Sequence, residues 1–162
     1  YSIGNYAFSA CSSLTNIFIP SSVTTIGSYC FNKCSALTNI KLSEGVYSIG
    51  EYAFNECSNL TDIVIPDSVT SIGTYCFYKC SNLTTVTIGK DIATIDSYAF
   101  RDCSKLKNIY CKALIPPVAN NEIFSSCSSL SLIYVPKESV ADYRAATGWS
   151  KYASKIVGYD FE

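Results

Sequence analysis

The residues best suited to chemistry in this sequence are nine cysteines, and the chain contains no histidine. Six cysteines recur at a nearly constant interval: Cys11, Cys34, Cys57, Cys80, Cys103 and Cys127. Without histidine, neither a Ser–His nor a Cys–His nucleophile pair can be assembled. The acidic residues are scattered without a convincing carboxylate pair, and no glycine-rich phosphate loop is present. The sequence therefore favours a protein that is not an enzyme.

Three roles remain open for the cysteines. A second column, in which cysteine exchanges with alanine, consists of Ala7, Cys30, Ala53, Cys76 and Ala99. That exchange indicates a small buried position, so we expect reduced thiols that pack as apolar groups. One alternative is a disulfide framework, which the odd cysteine count and parallel side-chain directions disfavour. The other is metal binding through the two Cys-x₃-Cys pairs, for which burial of thiolates is costly. We predict neither a metal nor a cofactor.

The cysteine interval is one of several columns of a repeat. Phenylalanine recurs with a 23-residue period at Phe8, Phe31, Phe54, Phe77 and Phe100. Leucine keeps the same interval at Leu14, Leu37, Leu60, Leu83 and Leu106. The interval to the next copy is longer by a single position, which places an inserted residue near Pro116-Pro117. A match in several columns at once indicates stacked repeats that bury their apolar faces against one another.

Each repeat contains one alternating segment and one shorter extended stretch. In Leu14-Thr15-Asn16-Ile17-Phe18-Ile19, apolar and polar sides alternate as in a half-buried strand. The predicted strands are 14–19, 37–42, 60–65, 83–88, 106–111 and 130–135. Val23 to Ile26 suggests the second stretch, after which a tight turn carries Cys30, Phe31 and Cys34 inward. A tyrosine column should lie half-buried on the outer side, with its hydroxyls in water: Tyr6, Tyr29, Tyr52, Tyr75 and Tyr98.

At these motifs the chain resembles a known family. Leu-x-x-Ile-x-Ile is similar to the strand motif of leucine-rich repeats, and Ile-Gly-x-x-Ala-Phe-x-x-Cys-x-x-Leu resembles the BspA-like subclass. The resemblance covers residues 1–136. It implies a curved solenoid with a parallel β-sheet on the concave face, and we expect a right-handed stack of about six repeats. It also implies surface proteins of anaerobic bacteria, and of some protozoa, that adhere to host proteins or to other cells.

Both ends of the chain differ from the repeats. Residues 137–162 should form a short helical C-terminal cap within the same domain as the solenoid of residues 1–136. Val140, Tyr143 and Ala146 would share one helical face, and Trp149, Tyr152 and Ile156 are spaced as a second short helix. At the other end, residues 1–13 enter in mid-repeat without a polar cap. We therefore expect the native chain to extend before residue 1.

Composition and charge limit the kinds of binding partner that we expect. With 48% hydrophobic residues, the chain can bury a continuous core. The net charge is −1, from 12 basic and 13 acidic residues, and no basic run occurs, so we expect neither nucleic acid nor an anionic membrane as a partner. No apolar stretch approaches the roughly 20 residues that span a bilayer, so membrane insertion is not predicted. The family resemblance implies a location at the cell surface or in the secreted fraction.

The outward positions of the concave sheet are the candidate binding site. Each strand places two outward residues on this face, one in each of two parallel columns that run across the strands. Exposed aromatic and apolar side chains are unusual at such positions. The predicted partner-binding residues are Phe18, Lys41, Asp62, Val64, Tyr110, Leu132 and Tyr134. The sequence thus predicts a non-enzymatic, adhesin-like binding scaffold. Its partner would be a protein or glycoprotein, such as host matrix or another cell surface. The alternative is a structural spacer domain without a ligand of its own.

Overall fold

A computed structural model describes residues 1–120 and 122–161 of the chain. The repeats form a parallel-strand β-solenoid of about seven turns, with a short helix near the C-terminus. The long strands are β2 (Asn16–Ile19), β4 (Asn39–Leu42), β6 (Asp62–Ile65), β8 (Thr85–Ile88), β10 (Asn108–Cys111) and β12 (Leu132–Pro136). The short strands are β1 (Ser2–Ile3), β3 (Thr25–Ile26), β5 (Ser48–Ile49), β7 (Ser71–Ile72), β9 (Thr94–Ile95) and β11 (Val118–Ala119). The handedness remains a prediction.

The long strands pair in parallel, each residue with its equivalent in the next repeat. Ile17 pairs with Ile40, for example, and Tyr110 with Tyr134. The strands begin two residues later than predicted, because the leucine before each strand belongs to a turn. The Leu37 amide donates to the Cys34 carbonyl at 3.0 Å rather than to the ladder. The ladder has two sections, β2-β4 and β6-β8-β10-β12.

The short strands form a second, six-stranded parallel sheet, and a chain of tight turns follows each of them. The Cys30 amide donates to the Gly27 carbonyl, and the Cys34 amide to the Phe31 carbonyl. Tyr29 has φ 57° at the third position of the first turn, as type II turns require. A Cβ on Gly50 would lie 2.7 Å from the Ser28 nitrogen, so glycine allows these turns to stack.

The core is built from the repeated columns. The phenylalanine rings stack along the solenoid, and Phe77 lies 5.3 Å from Phe54 and 5.1 Å from Phe100 between ring centroids. Phe31 and these three are fully buried, together with the column leucines from Leu37 to Leu106. Each repeat therefore contributes one ring, one leucine and the inward residues of its strands to a continuous core.

The C-terminal segment covers the last repeat with both helix and strand. Helix α1 spans Val140–Ala145, and a 3₁₀ helix spans Ser150–Lys155. The prediction that Ile156 belongs to a second helix is wrong, because β13 (Ile156–Tyr159) adds a parallel strand beside β12. Trp149 is fully buried and donates from Nε1 to the Pro117 carbonyl at 2.9 Å. The segment thus anchors the last short-strand loop and extends the long-strand sheet.

Candidate functional site

The predicted binding residues all lie on one side of the long-strand sheet, which we call the long-strand face. The alternation in β4 and β6 buries every second residue and exposes those between. Along one column, Phe18 pairs with Lys41, and further on Val64, Thr87, Tyr110 and Tyr134 succeed one another. In the neighbouring column, Asp62, Thr85, Asn108 and Leu132 follow in register. The structure therefore brings the predicted residues to one face, in two separate groups.

The N-terminal group is sparse and open to solvent. Phe18 is 59% exposed and Val64 is 58% exposed. The Lys41 ammonium lies 5.8 Å from the centroid of the Phe18 ring, at the outer limit of a cation–π contact. The Asp62 carboxylate accepts a hydrogen bond from the hydroxyl of neighbouring Thr61 at 2.9 Å. This end of the face offers isolated apolar and charged groups rather than a packed cluster.

The C-terminal group is a packed set of rings, which we call the aromatic cluster: Tyr110, Tyr134, Tyr159 and Phe161. Tyr110 and Tyr134 stack with centroids 4.5 Å apart and planes 6° from parallel. Tyr159 meets both edge-on, at 5.6 and 5.5 Å, and lies 4.9 Å from Phe161. Leu132, in the adjacent column, is half-buried. The cluster is therefore a formed apolar surface.

The sequence-based prediction missed Tyr159 and Phe161, although a signal for Tyr159 was present. Ile156 follows Ile133 at the same interval that relates the earlier strands. Strand β13 continues the ladder, and its register sets Tyr159 opposite Pro136. Extending the strand column by one more interval would have predicted β13 with Val157 beside Tyr134, and strand alternation would then have placed Tyr159 on the same face.

The rings of the cluster also change its electrostatics. Burial raises the pKa of the Tyr110 phenol above its usual value, and the neighbouring Tyr134 and Tyr159 add to the effect. The Tyr110 hydroxyl therefore stays neutral to a higher pH than an ordinary phenol does, and it can both donate and accept a hydrogen bond. This surface combines apolar ring area with neutral polar groups, a combination common at protein interfaces.

The cysteine column lies in the core, away from this face. All nine cysteines are free. The Cys57 thiol donates to the Phe31 carbonyl of the preceding repeat at 3.3 Å, and Cys80 bonds in the same way to Phe54 at 3.1 Å. Burial raises the pKa of Cys30 to about 12 and that of Cys111 to about 11. Such thiols are poor nucleophiles at neutral pH.

Two members of the column depart from the predicted burial. Cys11 is exposed and Cys127 is partly exposed, because each lies near an end of the stack where fewer repeats cover it. Burial is confirmed for Cys34, Cys57, Cys80 and Cys103, and the reduced state stays a prediction. Within residues 1–120 and 122–161, no group of three or more His, Cys, Asp or Glu residues is arranged to hold a metal ion.

The outer tyrosine column is regular and half-buried from Tyr29 to Tyr98, as predicted, whereas Tyr6 is 59% exposed. Tyr29, Tyr52 and Tyr75 stack at 4.7 and 4.9 Å between ring centroids. Each of them has a positive φ of 53 to 57°. The column is therefore a structural feature of the turns, on a different side of the molecule from the aromatic cluster.

Comparisons with known proteins agree with this architecture. The family model described as a BspA type leucine-rich repeat region matches residues 1–131 with six copies. A leucine-rich repeat protein of T. pallidum is 33% identical, with a TM-score of 0.75 over 83% of this chain and 64% of its own length. One from Bacteroides ovatus is also 33% identical, with a TM-score of 0.72 over 84% of this chain and 35% of its own length.

A third solved structure shares the fold at lower identity. A leucine-rich cell surface protein of Faecalibacterium prausnitzii is 18% identical, with a TM-score of 0.53 over 98% of this chain and 63% of its own length. No curated protein matches the sequence significantly. Among the described residues, none of the helices has the length and apolar character needed to cross a membrane. The six matched copies and the two relatives at 33% identity lead to one conclusion: the chain belongs to the BspA-type leucine-rich-repeat family.

Proposed function

We propose that this chain is a non-enzymatic protein-binding scaffold and that its long-strand face binds a protein or glycoprotein partner. The observation that carries the proposal is the aromatic cluster, in which Tyr110, Tyr134 and Tyr159 pack together on the surface of a rigid sheet. The other repeats place Phe18, Lys41, Val64 and Thr87 in the same column, so the repeat does not require a ring there. Aromatic surface that folding does not demand is typical of an interface.

The packing of the cluster favours binding energetically. The stacked rings are already held by their neighbours, so they lose little side-chain entropy when a partner covers them. The sheet beneath them is held by parallel pairing from β6 to β13. Extended, open surfaces of solenoids suit macromolecules better than small ligands. Lys41 and Asp62, both exposed, would orient the partner at the other end of the face.

We further propose a location at the cell surface or in the secreted fraction, with an adhesin-like role toward host matrix or another cell. Support comes from the F. prausnitzii protein of the same fold, which is described as a cell surface protein. A structural spacer without a ligand would show the same solenoid. It would have no use for the aromatic cluster, and this distinguishes the two functions.

The test compares two pairs of tyrosines from the same chain. The purified domain is screened against immobilised matrix proteins and whole bacterial cells. The variant Tyr110→Ala/Tyr134→Ala is then compared with Tyr29→Ala/Tyr52→Ala in the outer column. Truncating true anchors should weaken binding by about 1–4 kcal/mol in the first variant and little in the second. Binding lost only in the outer-column variant, with both proteins folded, would place the site on the wrong side. No binding to any surface would favour the spacer.

A further inference from the structure

One loop departs from the pattern of the solenoid edge. In the preceding repeats, the segment between long and short strands exposes mainly polar residues, such as Ser21-Ser22 and Lys90-Asp91, with Tyr47 as an exception. In the loop after β10, which carries the inserted residue, Leu114 is 58% exposed, Ile115 81% and Val118 73%. Val118 takes the place of Thr94 and Ser71 in the short-strand ladder, and Leu114 follows Asp91 at the 23-residue interval, so at these two positions the sister copies are polar. The apolar residues of this loop are therefore not a requirement of the fold.

In the earlier repeats, hydrogen bonds link the segment between the long and short strands to the same segment of the next repeat. The Glu44 carboxylate accepts hydrogen bonds from the amides of Asp67 and Ser68 at 3.2 and 3.0 Å. The Asp67 carboxylate accepts in turn from the Lys90 amide at 3.2 Å. The ladder stops at Lys90, whose side chain carries no acceptor, and the next residue at the same interval is the buried Ala113. In the loop after β10, exposed apolar surface takes the place of these hydrogen bonds between repeats.

The loop is nevertheless firmly held. The Ser139 hydroxyl donates to the Leu114 carbonyl at 2.7 Å, and the Tyr143 hydroxyl to the Ala113 carbonyl at 2.8 Å. The Trp149 indole adds its hydrogen bond to the Pro117 carbonyl. The backbone is thus anchored on the C-terminal segment while the side chains point away from it. A rigid apolar ridge of this kind pays little entropy on binding.

The loop continues into the aromatic cluster. A groove of about 450 Å³ lies between the loop and the preceding repeat, from Lys90 to Ala93. A second cleft of about 220 Å³ lies between Leu114, Pro136, Tyr159 and Phe161. Leu114 lines both, so the two clefts adjoin at this residue, and we call them together the edge groove.

Charge along the edge groove selects the occupant. Lys112 pairs with Asp67 at 3.8 Å, Lys137 pairs with Asp160, and Lys90 and Asp91 contribute one charge of each sign to the lining. Glu138 lines the same cleft and, within the described part of the chain, has no ion-pair partner. An uncompensated carboxylate beside Tyr159 and Phe161 favours a cation, because the faces of both rings also attract positive charge.

Resting on the proposed function, we propose that the edge groove binds an extended polypeptide segment of the partner, with a lysine or arginine beside Glu138 and flanking apolar side chains or prolines against Leu114, Ile115 and Val118. An extended chain fits because the groove is elongated, open and formed by rigid backbone. The aromatic cluster joins this groove to the long-strand face. A partner would therefore bind the long-strand face with its folded surface and the edge groove with its extended segment.

The experiment selects 12-residue peptides from a random phage-displayed library on the intact chain. Enriched peptides should contain a basic residue next to apolar residues or proline. Ile115→Asp should weaken the selected peptides by about tenfold or more, and Glu138→Gln by a smaller factor that shrinks at high salt. The matched control is Tyr47→Asp, since Tyr47 is 56% exposed on the edge of an earlier repeat. It should change binding less than about twofold.

Other results would overturn the proposal. These are peptides without basic residues, peptides insensitive to Ile115→Asp, an empty selection, or Ile115-dependent binding to phosphatidylcholine vesicles. They are distinguishable from failure of the proposed function. Selected peptides that depend on Tyr110 and Tyr134 alone would leave the long-strand face as a site and remove the edge groove. Peptides that bind the groove, with no macromolecule bound by the long-strand face, would leave the edge groove as a site and remove the face.

Discussion

The molecule carries two aromatic arrays that are built in different ways. The outer column keeps the period of the repeat from Tyr6 to Tyr98, and its rings stack with interplanar angles of 6 to 19°. The aromatic cluster on the long-strand face contains only Tyr110, Tyr134, Tyr159 and Phe161, and it combines stacked with edge-on contacts. The first array follows the period of the fold, and the second is confined to the C-terminal end of the long-strand sheet.

This difference separates residues whose packing stabilises the solenoid from residues that the solenoid exposes to a partner. A periodic column packs against copies of itself, so each member is determined by its neighbours in the stack. The outer tyrosines even keep a positive φ, which costs a non-glycine residue about 1 kcal/mol or more. The cluster on the face has no such backbone constraint among its described members. Periodic residues should therefore matter for stability, and the aperiodic ones for binding.

The largest expected effect comes from breaking a periodic column. Phe77→Ala removes a fully buried ring that stacks on Phe54 and Phe100, so it should lower the free energy of unfolding by about 3–5 kcal/mol. Tyr134→Ala, on the half-buried face, should cost less than about 1.5 kcal/mol. Urea unfolding followed by circular dichroism measures both. Equal losses would mean that the cluster is part of the core.

Raising the pH should destabilise the periodic core next. Burial raises the pKa of Cys111 from an ordinary value near 9 to about 11, so the unfolded chain loses this proton at a lower pH than the folded one. The stabilising effect is complete below pH 9 and disappears as the pH approaches 11. By pH 11, Cys111 alone should cost about 2 kcal/mol. Urea unfolding at pH 8, 9.5 and 11 measures this decline.

A matched variant isolates the thiol from other groups that titrate in this range. Isoleucine ends strands β6 and β8 at the position of Cys111, so Cys111→Val keeps an apolar side chain there without a titrating group. The variant should lose less stability between pH 8 and pH 11 than the natural chain does. Identical pH profiles would contradict a role for the buried thiol.

Two cysteines of the same repeat allow a finer comparison. The Cys80 thiol donates to the Phe54 carbonyl, and cysteine is present at this position in every copy of the repeat. Cys76 is equally buried but replaces Ala53 and Ala99 of its neighbours. Cys80→Ala should cost about 1–2 kcal/mol, and Cys76→Ala less than about 1 kcal/mol. Thermal unfolding of the two single variants tests this order, which a larger loss for Cys76→Ala would reverse.

The solenoid could be predicted from the sequence because its evidence is spread over many repeats. Ile17 and Ile40 occur at the same place in the repeat, and that interval predicts parallel pairing in register without any model of the turns. The same interval located Phe18 and Lys41 on one face. Errors arose where local backbone geometry decides the outcome. The strand start at Asn39 depends on which carbonyl accepts the Leu37 amide, and residue types alone do not specify that bond.

The C-terminal part of the site was harder to predict because two periodicities overlap there. Trp149, Tyr152 and Ile156 fit a helical spacing, whereas Ile133 and Ile156 fit the repeat interval of the strands. The strand ladder prevails at Ile156, since pairing with β12 satisfies backbone groups that a continued helix would leave against an open sheet edge. The edge groove depends on Leu114 and Phe161 lining the same cleft, and neither residue has a sequence signal for the other.

The smallest expected effect tests the backbone difference between the two arrays. At Tyr52, φ is 53°, a region that glycine adopts without strain and alanine does not. Both Tyr52→Gly and Tyr52→Ala lose the stacking on Tyr29 and Tyr75, so their difference reports the backbone alone. Tyr52→Gly should therefore be more stable than Tyr52→Ala by about 1 kcal/mol. At Tyr110, which lies in strand β10, the order should invert, since glycine weakens a strand relative to alanine. Urea unfolding of the four variants measures both differences. The same order at both positions would show that the two arrays do not differ in the way their backbones hold the rings.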